Sequence, residues 1–203
     1  MYDHFNDEAK STAFSEEYRK VEGKLNEVLK ECRNFQNVAK RITSVWYNTK
    51  MEPKKFGTWK YNCPLFYYWL GNEVSGIITE NGKFGDTLKG VYSTMMEKGI
   101  GKNCEKQCPN VSKEEFQELK ILHDYTLEYS GTSNMKKNDR RVCGNNCENH
   151  LRKINETYGK VLEDCKIENE RDYCKEFRRL RTTGSVLKVA QDQKGDRVVS
   201  REQ

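Results

Sequence analysis

The chain has 203 residues, 36 basic against 31 acidic, for a net charge of +5, and a mean hydropathy of −0.98. That length suits one domain with a real core or two small ones, but 33% charged residues approaches the make-up of a disordered chain. Aromatics at 11% and eight cysteines argue instead for a thin core stapled by covalent bonds, and the intermixed charge argues against the one-sided basic face of a nucleic-acid binder.

The N-terminus, Met1-Tyr-Asp-His-Phe, lacks a basic start followed by an apolar run. No stretch is apolar and long enough to cross a bilayer. So many cysteines without such a leader imply an unusual export route or a piece of a longer protein.

From about Ser11 to Lys50 a long amphipathic helix is expected. Phe14, Tyr18, Val21, Leu25, Leu29, Cys32, Phe35, Val38, Ile42 and Val45 keep helical spacing, which places Cys32 toward the core. Pro53 and Gly57 mark a loop. Cys63-Pro-Leu-Phe-Tyr-Tyr-Trp-Leu-Gly-Asn-Glu-Val-Ser-Gly-Ile-Ile78 follows, the most apolar and aromatic stretch of the chain. Pro64 suits a first helical turn. Apolar residues fill most of the circumference, so this helix is expected to be central and buried.

Asn81-Gly82 and Gly85 make a turn. Phe84, Leu88, Val91 and Met95 then give a shorter helix ending near Gly99. Cys104 and Cys108 fall in a polar loop, and Ser112 with Glu115 forms a capping box for a helix through Tyr129. Residues 131–142 read as an exposed basic loop. Cys143, Cys147, Leu151, Ile154, Tyr158, Val161 and Cys165 mark another helix, and Cys174 with Phe177 a last short element. The expected boundaries are one helical domain over residues 1–181 and a flexible tail or tether over 182–203. No strand or internal repeat is expected.

Cys104/Cys108 and Cys143/Cys147 are two Cys-x3-Cys pairs. Four thiolates could hold zinc, but an even set of eight in so polar a chain reads more simply as disulfides. One arrangement bridges Cys104/Cys108 to Cys143/Cys147 and adds Cys32–Cys63 and Cys165–Cys174. Many other connectivities are open.

The three histidines do not assemble into a site. His123 and Asp124 are neighbours on a helix, about 100° apart, a poor geometry for a base and its orienter. No phosphate-cradling loop, nucleophile elbow or metal-binding histidine pair is present, so neither catalysis nor a cofactor is expected. Asn110-Val-Ser112 and Asn155-Glu-Thr157 fit the glycosylation pattern. Trp59, Tyr61, Phe66, Tyr67, Tyr68 and Trp69 read first as core and second as an adhesive patch.

The segment Cys63-Pro-Leu-Phe-Tyr-Tyr-Trp-Leu-Gly71 resembles the Cys-x-x-Leu-x-x-Trp-Leu signature of the Plasmodium interspersed repeat proteins. Leu122-His-Asp-Tyr-Thr-Leu-Glu-Tyr129 resembles their Leu-x-Asp-Tyr segment, and Cys147-Glu-Asn-His-Leu with Tyr158, Cys165 and Tyr173-Cys174 resembles their later cysteine helix. The likeness runs from about Phe14 to Leu180 and is greatest to the Vir branch of the vivax malaria parasite. It implies an all-α ectodomain, here a disulfide-stapled bundle of about five or six helices, exported to the infected red cell as a variant surface antigen. Its core signature would be Pro64, Leu65, Trp69, Leu70, Asp124 and Tyr125. Its partners would be an unidentified host-cell receptor or antibodies, with no nucleic acid, and a membrane only through a segment absent from this chain. A zinc-stabilised intracellular scaffold or nucleic-acid module is the competing expectation.

Overall fold

In a computed structural model the described residues are 15–51, 63–79, 81–97, 110–130, 147–166 and 169–183. Among them there are seven α-helices and no strand. These are α1 (Glu16–Leu29), α2 (Phe35–Met51), α3 (Cys63–Ser75), α4 (Phe84–Glu97), α5 (Lys113–Ser130), α6 (Cys147–Asp164) and α7 (Asp172–Thr183). The chain divides into two compact units, Met1–Lys113 and Glu114–Gln203.

The count exceeds the five or six expected because the first long helix is broken in two. Ser15 caps α1, its Oγ accepting from Tyr18 N at 3.1 Å, and Val21, Leu25 and Leu29 line a buried face. The apolar spacing then carries on past residue 29 but the backbone does not. α1 ends at Leu29 with Lys30, still in helical conformation, as its C-cap, and four residues further on Asn34 adopts φ 53°, a left-handed conformation that asparagine tolerates. The next helix restarts at Phe35 and doubles back, so α1 packs along both α2 and α4. Tyr18 OH reaches across to Ser44 Oγ at 3.0 Å and donates to Lys40 O at 3.2 Å.

α3 is the buried centre of the first unit, as its near-continuous apolar surface predicts. Phe66, Tyr67, Tyr68, Trp69, Leu70, Gly71 and Val74 are all buried. It packs on α2 and α4, with Phe66 stacked on Trp69 at 6.0 Å and Tyr67 edge-on to Tyr92 of α4 at 5.8 Å. Arg41 of α2 clamps Glu73 through two hydrogen bonds of 2.7 and 3.0 Å. Bonding to that carboxylate raises the Arg41 pKa further, against the effect of burial.

The helix stops at Ser75, three residues before the expected Ile78. Carbonyls at its end and just past it find distant donors: Lys113 Nζ donates to Ser75 O at 2.7 Å and to Ile78 O at 3.2 Å, and Arg33 N donates to Ile77 O at 3.3 Å.

Two glycines of this unit have opposite roles. Gly23 lies exposed in mid-α1, and a Cβ there would meet nothing within 4 Å. Gly23→Ala should therefore stabilise the protein by about 0.5–1 kcal/mol by restricting the unfolded chain and favouring the helix. A urea midpoint that stays put or falls would refute this. At Gly85, a Cβ would stand 2.8 Å from Val111 O and 3.1 Å from Asn110 Oδ1. Backbone meets backbone there, so Gly85→Ala should destabilise by about 1–3 kcal/mol. The urea midpoint should fall at constant slope, and an unchanged midpoint would show that the 110–111 segment moves aside freely.

The second unit holds the rest of α5 with α6 and α7. Phe116, Leu119, Leu122 and Tyr125 of α5, Ile154 and Val161 of α6, and Tyr173, Phe177 and Leu180 of α7 are buried. Tyr158 and Phe177 meet edge-on at 5.6 Å. Carboxylates on α5 hold the other two helices. Glu118 accepts from Lys160 Nζ and from Tyr173 OH, each at 2.5 Å, and Glu115 accepts from Arg171 Nη1 at 2.9 Å. Burial first, and then donation to Glu118, push the Tyr173 phenol far above its usual range.

Asn169 latches the α6–α7 turn. Its Nδ2 donates to Asp164 O at 3.0 Å, its Oδ1 accepts from Arg171 N at 3.2 Å, and its carbonyl accepts from Arg178 Nη2 at 3.0 Å. The Cys165–Cys174 disulfide closes the same turn.

Candidate functional site

The residues singled out by the sequence are framework. Trp69, Leu70 and Tyr125 are buried, while Pro64 and Leu65 at the head of α3 are half-buried. Asp124 is half-buried and pairs with Lys120 one turn earlier. The aromatics Phe66, Tyr67, Tyr68 and Trp69 face inward, so none of the four serves an adhesive patch. Trp59 and Tyr61 lie outside the described residues.

The cysteines divide. Cys165 and Cys174 are bonded to each other, as one expected pairing had it. Cys32 is a free thiol, which overturns the Cys32–Cys63 bridge. The break after α1 is the physical reason: it lifts Cys32 out of the helical stripe into the turn, where it is half-buried rather than in the core. Burial, then the charge of Glu31, push its thiol pKa up. Cys63 is disulfide-bonded. Cys147 opens α6. Cys104, Cys108 and Cys143, and with them the expected clamp to Cys147, also lie outside the described residues.

His123 and Asp124 come nearer than their helical offset suggested, with Nδ1 and Oδ1 3.4 Å apart. The imidazole is only 4% exposed, so it meets no substrate-sized space. Thr126 Oγ1 donates to His123 O at 2.6 Å and fixes the turn.

Among the described residues the surface includes polar helix faces and two hollows. One, of about 130 Å³, lies where Val28, Cys32, Ile78, Lys83 and Thr87 meet, with Lys83 bonded across it to Glu31 at 3.1 Å. The other, of about 370 Å³, is lined by Gly82, Gly85, Asp86, Asn110, Val111 and Ser112. Sequence reasoning missed it because its two sides are some twenty-five residues apart and meet only through the Gly85–Val111 approach. Among the described residues no helix is long and apolar enough to cross a membrane.

A family model described as Plasmodium vivax Vir protein matches residues 1–183. No curated protein and no solved structure matches the chain.

Proposed function

Because the chain belongs to the Plasmodium vivax Vir family, a family of variant surface antigens, we propose that it is an antigen ectodomain exported to the infected red cell and displayed there. It acts by binding, with antibodies and an unidentified host-cell receptor as partners. Immune evasion follows from changing what the surface presents, and adhesion from keeping a receptor-binding face.

The observation that carries this is the division of labour between inside and outside. Trp69, Leu70, Tyr125 and the Cys165–Cys174 bond are framework, while charged helix faces such as Glu16, Lys20, Lys24 and Glu27 are exposed. Exposed polar positions contribute little to stability, so they can change without unfolding the domain. The segments 53–60, 99–111 and 131–142 are the proposed variable faces. Of these, Asn110 is exposed and Val111 is buried, and the rest lies outside the described residues.

The test is antibody raised against the folded chain, applied to infected red cells before and after permeabilisation. Staining of intact cells that protease treatment removes is the expected result. Staining only after permeabilisation would end the display model.

A further inference from the structure

We propose that Asn110 is an N-glycosylation site, carrying a saccharide that begins with N-acetylglucosamine. Two stretches have the acceptor pattern, Asn110-Val-Ser112 and Asn155-Glu-Thr157, and the structure separates them. Asn110 lies in the non-helical segment before α5 and is exposed. Val111 is buried and pins the segment down, while Ser112 on its far side is exposed again.

The second pattern is held differently. Asn155 is half-buried in mid-α6, where residues two apart point about 200° away from each other. Thr157 Oγ1 is committed to Lys153 O at 2.8 Å. Its hydroxyl cannot stand beside the Asn155 amide while the helix is intact.

Two further observations favour Asn110. Beside it is the open hollow of about 370 Å³, whose lining includes Gly82, Gly85, Asp86 and Ser112. A sugar ring could lie there with its hydroxyls donating to Asp86. The chain also contains disulfides, at Cys63 and at Cys165–Cys174, and these form where thiols are oxidised. In eukaryotic cells that compartment also contains the transferase acting on Asn-x-Ser/Thr.

The step balances without any redox change. Asn110 Nδ2 attacks C1 of a lipid-pyrophosphate-linked saccharide, and the N–C1 bond forms. The C1–O bond breaks, the lipid pyrophosphate leaves with its electron pair, and the amide proton passes to a base of the transferase.

The test is peptide mapping by mass spectrometry of the chain recovered from infected cells, with fragment ions assigning any N-acetylhexosamine to a residue. The sugar is expected on Asn110, with Asn155 bare. In parallel, the full chain is secreted from a eukaryotic host. Asn110→Gln should lose the sugar while keeping wild-type helical circular dichroism, and Asn155→Gln and Ser112→Thr should keep it. An unmodified Asn110 in the native chain, or sugar on Asn155, would overturn the proposal whatever a foreign host adds.

Discussion

Trp69→Ala should destabilise the first unit by about 3–5 kcal/mol, the range for truncating a large buried aromatic. The indole is 2% exposed on α3, stacked on Phe66, whose ring is itself tilted against Tyr92 at 6.4 Å. Alanine would leave a cavity bounded by other rings, and rigid aromatics collapse into such a gap poorly. Folded domains are stable by only about 5–15 kcal/mol, so the variant should be marginal at body temperature. Denaturant titration with far-ultraviolet circular dichroism measures the loss. A change under about 1 kcal/mol would show that α3 is not the centre of its unit. Trp69→Phe, which keeps a ring, should recover part of the loss and separates a packing effect from general misfolding.

Removing the Cys165–Cys174 bond by double substitution to alanine should cost about 2–4 kcal/mol. The bond closes a short loop of sequence separation 9 and joins the end of α6 to the first turn of α7, where Cys174 is fully buried. Without it the turn depends on Asn169 and on the Glu118 and Glu115 contacts, of which Arg171–Glu115 is partly exposed and correspondingly weak. The expected signature is earlier melting of α6 and α7, seen as faster amide exchange there, with the exchange of α1–α4 unchanged. Equal protection in the double variant would mean that the Asn169 latch alone holds the turn. Combining the two changes with Asn169→Ala would then be the decisive variant.

Both effects bear on which positions of the chain can change. Folded domains have little stability to spare, so Trp69, the aromatic helix and the disulfide have to persist. Gly23, the exposed helix faces and the polar turns carry little stabilising contact. Substitution there alters what a partner meets and leaves the interior as it was.

Apart from the break in the first of them, the order of the helices was legible in the sequence, since hydrophobic periodicity is a local property of each segment. The spacing of Phe84, Leu88, Val91 and Met95 marks α4, and the spacing of Ile154 and Val161 marks α6. The burial of α3 was equally legible, because a helix that is apolar nearly all round has no face for water. The motifs around Cys63, Asp124 and Tyr173-Cys174 pointed to the family as well.

Only the tertiary structure decided where the first long pattern breaks. The spacing from Tyr18 to Val45 runs on through residues 30–34, and a periodic stripe is compatible with one straight helix or with two folded back together. The second buries more surface, since α1 then meets both α2 and α4, and Asn34 can adopt the conformation that permits it. That break also decided the state of Cys32, which a straight helix would have turned toward the core. The Lys113 bonds at the end of α3, the Gly85–Val111 approach and the carboxylates of α5 holding Lys160, Arg171 and Tyr173 were likewise out of reach of the sequence. Each joins residues far apart in the chain, and which distant groups meet is settled by packing, not by any pattern within a segment.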